Sequence, residues 1–291
     1  MINAETQSDG AVPIIALKDV TYEYPNGVQA LSSLSMQIEK GQKAAILGAN
    51  GAGKSTMFLH LNGILKPSSG QIFLNGQSLK YTKAELIKLR KTVGIVFQDP
   101  DDQLFSMNVF QDISFGPMNL GYEKKVVKEK VEQAMELVKI QDLRGRPTHQ
   151  LSYGQKKRVA IAGVLAMEPS VIILDEPTAS LDPSITDEMM ELFEDLYKAG
   201  KTLIMSTHEM DLAYKWADYC FVLKQGKIAA QGLPQDIFSD ANMLEGNNLR
   251  QPWLIKVYAE LLANGLINKD LPLPCSEEEL FLYFRSTAGQ I

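Results

Sequence analysis

Cysteine is nearly absent from this chain: Cys220 and Cys275 are the two in 291 residues. They show neither metal-ligand spacing nor a disulfide framework, so buried, reduced thiols are the expectation. Long apolar runs are missing too. The longest, Val159 to Met167, falls well short of the roughly 18–20 residues a membrane-spanning helix needs. The opening Met1-Ile-Asn-Ala-Glu-Thr-Gln lacks the charged and apolar blocks of a secretory signal, which leads to the expectation of a chain that stays in the cytosol. There is no basic excess, since 29 Lys and Arg against 35 Asp and Glu give a net charge of −6. That balance offers no footprint for broad phosphate-backbone binding, and nucleic acid is not an expected partner. Repeats, low-complexity tracts and long heptad arrays are also lacking. What remains is 45% hydrophobic and 22% charged, an ordinary globular composition that excludes disordered and fibrous classes.

Short apolar runs organise the chain. Residues up to about Pro13 are polar and read as ragged, after which Ile14-Ile-Ala-Leu and Leu34-Ser-Met-Gln-Ile read as strands around the turn Pro25-Asn-Gly27. Lys43-Ala-Ala-Ile-Leu47 is a short buried strand that enters a glycine-rich loop, and Ser55 to Leu65 follows as a helix. Gln71-Ile-Phe-Leu with Asn75-Gly76 reads as half a hairpin, and Thr82-Lys-Ala-Glu85 as a capping box. From about Asp99 to Leu165 the pattern turns helical, with Val127, Val131, Ala134, Met135 and Val138 on one face. Asp182-Pro183 starts a helix that Gly200 stops, and Leu203-Ile-Met-Ser206 is a buried strand. Phe221-Val-Leu and Lys224-Gln-Gly-Lys227 with Ile228 form a hairpin. Ser239 to Asn248 reads as a linker; beyond it Trp253, Leu254, Val257, Tyr258, Leu261 and Leu262 line a helical face, and Ser276-Glu-Glu-Glu279 caps a last helix.

Three segments carry chemistry. In Gly48-Ala49-Asn50-Gly51-Ala52-Gly53-Lys54-Ser55, followed by Thr56, the glycines permit turns that aim backbone N–H groups at phosphate oxygens. Lys54 reaches the outer phosphates and Ser55 can hold Mg²⁺. A glycine-rich turn beside a lysine can arise by chance, but the flanking strand and helix argue for a phosphate loop. Asp175 and Glu176 follow four apolar residues, so two carboxylates emerge at a strand tip, where an α/β protein places its ligands. Asp175 suits the Mg²⁺ shell, and Glu176 suits a general base acting on water. Between these segments, Ser152 and Gln155 in Leu151-Ser-Tyr-Gly-Gln155 have capping-box spacing, which presents a second helix N-terminus, including Gly154, towards phosphate. His208 follows a buried strand and could contact the γ-phosphate or orient water, whereas His60 and His149 read as surface or packing residues. Gln98 closes the Val93–Phe97 strand ahead of the loop 99–105, where its amide oxygen could complete a Mg²⁺ or water shell. Tyr24 could stack on adenine; equally, Tyr24 and Tyr22 could be edge-strand surface aromatics.

These motifs, in this order over residues 14 to 240, resemble the series of an ATP-binding-cassette (ABC) ATPase, whose signature pentapeptide reads Leu-Ser-Gly-Gly-Gln. The one departure is Tyr153, where glycine is usual; we expect it to point away from the nucleotide. The resemblance implies an α/β P-loop core with an antiparallel β subdomain, a helical subdomain at about 99–165, and a small C-terminal helical extension, 241–291, that helps two subunits dimerise. It makes Tyr24 the adenine-stacking aromatic, Gln98 the Q-loop glutamine, Ser180-Leu-Asp182 the D-loop and His208 the switch histidine. ATP is the implied substrate and Mg²⁺ the cofactor. Through Tyr24-Pro25, Phe97-Gln-Asp-Pro-Asp-Asp-Gln-Leu-Phe105 and the C-terminal segment, the chain further resembles the energy-coupling-factor group, and within it the CbiO-like cobalt importers. That likeness implies a second ATPase subunit, identical or a close paralogue, a transmembrane coupling subunit and a substrate-binding membrane subunit, with the chain peripheral on the cytoplasmic face. Nickel or vitamin import by the same motor, and a soluble non-transport ABC ATPase, stay open as alternatives.

Overall fold

The computed structural model describes residues 12–288; the ragged opening expected before Pro13 lies almost wholly outside them. Six strands form the central sheet in the order Lys227–Gly232, Tyr219–Lys224, Lys43–Leu47, Thr202–Ser206, Val171–Asp175 and Val93–Val96. The last five run parallel, and only the hairpin strand Lys227–Gly232 is antiparallel to its neighbour. Parallel strands are covered on both faces, so they need near-continuous apolar runs rather than alternation. Lys43–Leu47 shows why: Ala44 and Ile46 face one core, Ala45 and Leu47 another.

A second sheet of Gln29–Ile38, Ile15–Glu23, Ser69–Leu74 and Gln77–Ser78 is antiparallel throughout. Asn75 and Gly76 join its last two strands with both φ positive, 49° and 74°, the backbone a tight two-residue hairpin requires. Between the sheets Val20, Leu31 and Ile38 pack with Phe58 and Leu61 of the Lys54–Leu61 helix and with Ile46, Ile173 and Phe221. On the other face of the central sheet lie the helices Val109–Asn119, Lys124–Leu137 and Tyr153–Leu165. Val127, Val131, Ala134, Met135 and Val138 are buried there with Ile172, Leu174, Leu203 and Met205, the face the helical spacing predicts.

The structure corrects several readings. The helix read as Ser55 to Leu65 ends at Leu61, and Gly63 at φ 70° turns the chain away. Residues 239–248 are not a linker: the helices Pro234–Ser239 and Ala241–Gly246 occupy most of that span, and Asp240 caps the second by accepting from Met243 N–H at 2.9 Å. Polar composition there reflects exposed helix faces, while Phe238 and Leu244 are buried. In the Trp253–Ala263 helix the buried residues are Leu254, Ile255 and Tyr258, whereas Trp253 and Val257 are each 38% exposed on its flank. This buried stripe belongs to the same core as the chain's own Ala45, Leu47, Cys220 and Val222, so the tail shares a core with the sheet. Cys220 is buried as expected, with burial pushing its thiol up to about 12, but Cys275 is exposed. Asp182 precedes its helix without a side-chain cap, and Pro183 alone sets the first turn. Among the described residues, no helix is long and apolar enough to cross a membrane.

Candidate active site

The loop 48–53 passes from the end of the Lys43–Leu47 strand into the Lys54–Leu61 helix with Gly48, Gly51 and Gly53 at φ 145°, 78° and 108°. Side chains are strained at such angles, and two of the three positions lack space as well. A Cβ on Gly48 would run into the Leu223 carbonyl, and one on Gly53 would sit 2.7 Å from the Ala30 carbonyl. Gly226 braces the loop from the hairpin, donating its N–H to the Ala52 carbonyl at 2.8 Å while its own carbonyl accepts from Ser32 N–H at 2.9 Å. Ala52 is buried, while Ala49, Asn50 and Gly51 are exposed. Lys54 is buried and curls back, donating to the Gly48 carbonyl at 2.7 Å and the Ala49 carbonyl at 3.4 Å. Burial lowers its pKa, and the charges of Glu176 and Asp175 partly offset that. Thr56 is buried and bonded to the Tyr24 hydroxyl at 3.0 Å, so Tyr24 sits directly beside the loop's helix. His60 is buried, packs edge-on against Tyr22 and donates from Nδ1 to the Thr56 carbonyl at 2.7 Å.

The carboxylates meet this loop from the neighbouring strand ends. Ser55 Oγ donates to Asp175 Oδ2 at 2.8 Å, and Ser206 Oγ donates to Asp175 Oδ1 at 2.5 Å. Ser206 Oγ also accepts from Glu176 N–H at 2.9 Å. One hydroxyl thus holds both acidic residues, which the register explains, because Asp175 lies opposite Ser206 in the parallel pair. Glu176 has φ 43°, a conformation rare for a non-glycine residue and the kind of strain that collects at functional sites. Its Oε2 accepts from Gln98 Nε2 at 3.0 Å and lies 3.3 Å from His208 Nδ1. Glu176 is buried while His208 is exposed, so the carboxylate is fixed on the protein side and the imidazole faces solvent.

The second helix end is built as its spacing predicts. Ser152 Oγ accepts from Gln155 N–H at 3.3 Å, and Gln155 Oε1 accepts from Ser152 N–H at 3.0 Å, closing a capping box. Gly154 is buried beside Leu181 and Ile185, and a Cβ there would sit 3.1 Å from Ile185 Cδ1. Among the described residues, no hydrogen bond joins Ser152 or Gln155 to residues 48–56.

Sequence reasoning missed Ser206, Gly226 and Lys157. Ser206 ends a buried strand beside the one that ends in Asp175, and the shared strand-end position was its available signal. Gly226 looked like an ordinary hairpin glycine, and nothing local marks it as a brace. Lys157 is fully buried and donates to the carbonyls of Phe97 at 3.1 Å and Gln98 at 2.8 Å. Burial pushes its pKa down to about 8, against the charges of Asp175, Asp99 and Glu176. It is flanked by Lys156 and Arg158, which hides it in what reads as a solvated basic run; only its spacing four residues from both Tyr153 and Ile161 points inward.

Asp175, Glu176, Ser206, Gln98 and His208 gather at the carboxyl edge of parallel strands, beside a glycine loop that opens a helix, which defines a P-loop nucleotide hydrolase. Comparison with known proteins narrows the class. The ABC transporter family profile matches residues 31–179. The energy-coupling factor transporter ATP-binding protein EcfA of Methanocaldococcus jannaschii is 48% identical over 239 residues, covering 82% of this chain and 86% of the relative. A putative ABC transporter ATP-binding protein of Methanosarcina mazei is 49% identical over 253 residues, of which this chain spans only 56% of the length. Among solved structures, cbiO1 from Clostridium perfringens, part of the ABC transporter complex cbiONQ, superposes with a TM-score of 0.71 at 44% identity, covering 86% of this chain and 99% of that one. A dimeric ATP-binding cassette with bound ADP and phosphate gives 0.70 at 26% identity, covering 76% and 98%. The chain belongs to the ABC transporter family. It is an ATP-hydrolysing subunit that energises a transporter.

Proposed function

We propose that this chain is the motor of an energy-coupling-factor importer, working as a head-to-tail pair on the cytoplasmic face of the membrane and driving uptake of cobalt ions. The chemical reading rests on one observation above all: the buried Glu176 carboxylate is held between Gln98 Nε2 and His208 Nδ1, with Lys54 and Asp175 close by. In this reading the loop from Gly48 to Thr56 cradles the phosphates of ATP and Tyr24 stacks on its adenine. Lys54 exchanges its loop carbonyls for phosphate oxygens. Ser55, Asp175 and Gln98 offer the hard oxygen donors that Mg²⁺ takes, and Asp175 Oδ2 is already within 2.8 Å of Ser55 Oγ. When bound, Mg²⁺ neutralises phosphate charge. Glu176 accepts the proton of the attacking water, and His208 orients that water or the γ-phosphate.

The second half of each site comes from a partner chain, whose Ser152, Gly154 and Gln155 helix end caps the phosphates. The partner is a second copy or a close paralogue. Phe281, Leu282 and Phe284 of the last helix are 53%, 61% and 43% exposed, an apolar face that supports the tail as the contact keeping the pair together. A transmembrane coupling subunit docks beside the Gln98–Phe105 loop, and a further membrane subunit binds the cargo. The identities with the energy-coupling factor relatives and with cbiO1 support the energy-coupling-factor reading. Purification of the tagged chain from native membranes, with identification of the subunits that accompany it, tests the proposal. A coupling protein with a cobalt-binding subunit is the expected result. Subunits for nickel or a vitamin would overturn the cobalt assignment, and no membrane subunit would favour a soluble ATPase.

A further inference from the structure

The helix Tyr153–Leu165 grips the strand end and loop that carry Gln98 at four points. Tyr153 Oη donates to the Gln98 carbonyl at 3.2 Å, and Lys157 Nζ donates to the same carbonyl at 2.8 Å and to that of Phe97 at 3.1 Å. Gln103 Oε1 accepts from Phe97 N–H at 3.1 Å, while Gln103 Nε2 donates to the Ala160 carbonyl at 3.0 Å. Lys156 Nζ meets Asp101 at 2.6 Å. Tyr153, Lys157 and Ala160 stand at i, i+4 and i+7, one face of the helix. The main chain of Gln98 is therefore fixed to this helix on one side, and its side chain reaches Glu176 Oε2 at 3.0 Å on the other. Tyr153 is the residue that departs from the usual glycine, and a glycine there would lack the hydroxyl.

We infer that Tyr153 and Lys157 are positioning residues for hydrolysis: by clamping the Gln98 carbonyl they keep the Gln98 amide on Glu176, and so tie the general base to the helix whose Ser152 end caps phosphate. The inference rests on the roles proposed above for Gln98 and Glu176, and the test separates the two. Steady-state ATP hydrolysis by the full-length chain is measured for Tyr153→Phe, Gln98→Ala and the double variant. Tyr153→Phe keeps the ring of a half-buried side chain and removes one neutral hydrogen bond, so kcat should fall about 2–10-fold with KM changed by less than about 2-fold. In the Gln98→Ala background the same change should have no further effect, because the side chain being positioned is gone. Lys157→Met should show a larger fall with the same dependence on Gln98. Because Lys157 is buried and its loss can unfold the chain, Tyr153→Phe carries the test. Unchanged kcat in Tyr153→Phe, or a fall that multiplies with that of Gln98→Ala, overturns the clamp while leaving the roles of Gln98 and Glu176 standing. Should Gln98→Ala itself hydrolyse at the wild-type rate, the role assigned to Gln98 fails, and the clamp with it.

Discussion

At the carboxyl edge of the central sheet Ser55, Asp175, Ser206, Glu176, Gln98 and His208 are linked in a continuous run of contacts at 2.5–3.3 Å. At the start of the Tyr153–Leu165 helix, the side chains of Ser152 and Gln155 each accept from the other's backbone N–H, and Ser152 is exposed. The first region is organised around contacts within its own chain, and the second faces outward. In the proposed reading the first is the catalytic half of the site, and its contacts are complete within one chain. Under the proposed function the second would meet a phosphate only across a chain boundary, which is the physical argument for a composite site.

The largest expected effect lies within the catalytic half. Glu176→Gln keeps the hydrogen-bonding shape but cannot take a proton, so ATP binding should persist while phosphate release slows about 10²–10⁴-fold. Lys54→Ala should instead abolish tight binding, since Lys54 meets ground-state phosphates. Nucleotide affinity and turnover for the pair separate these roles, and an unaltered rate in Glu176→Gln would remove it as the base.

Mixing tests the other half. Lys54→Ala and Ser152→Arg chains should each be inactive alone. If the Ser152 end acts across a dimer, a one-to-one mixture should recover about a quarter of wild-type turnover, because half the dimers then carry one intact site of two. With both chains folded and paired, zero recovery would mean that each site is complete in one chain.

A smaller effect concerns stability. Ser206→Ala strips a buried donor from Asp175 and an acceptor from Glu176 N–H, and should lower unfolding free energy by about 1–3 kcal/mol. Ser152→Ala, an exposed cap, should cost about 1 kcal/mol or less. Urea denaturation of both shows whether the catalytic half is the more heavily tied to the fold; equal losses would erase that difference.

A pH dependence comes from Lys157, which joins the two regions. Burial pushes its pKa in the folded chain down to about 8, against about 10.4 for an unperturbed lysine. Between those values the unfolded chain binds the proton and the folded chain does not, so stability rises with pH through that window. Below about pH 8 the cost of the buried charge is present in full. Lys157→Met has no such proton, so wild type should gain stability relative to the variant between pH 7.5 and 9.5. A constant difference between the two denaturation midpoints would show that Lys157 does not titrate there.

Contiguous features were legible without coordinates. The run from Gly48 to Ser55, the apolar strand ending in Asp175 and Glu176, the Ser152–Gln155 box and the Val127 to Val138 face each depend on neighbours within one or two turns or one strand. Local backbone geometry and periodicity therefore determine them. Other features depend on packing between distant segments. Ser206 holds Asp175 and Glu176 only because two strands 31 residues apart align in register. Lys157 is buried only because the strand end at Phe97 and Gln98 lies against its helix, and Gly226 becomes a brace only where the hairpin folds over Ala52. The tail follows the same division. Its helical apolar face was readable from spacing, but that Leu254, Ile255 and Tyr258 join one core with Ala45, Leu47 and Val222 of the same chain was decided by tertiary packing. A hydrophobic stripe specifies that it must be covered, and carries no information about which surface covers it.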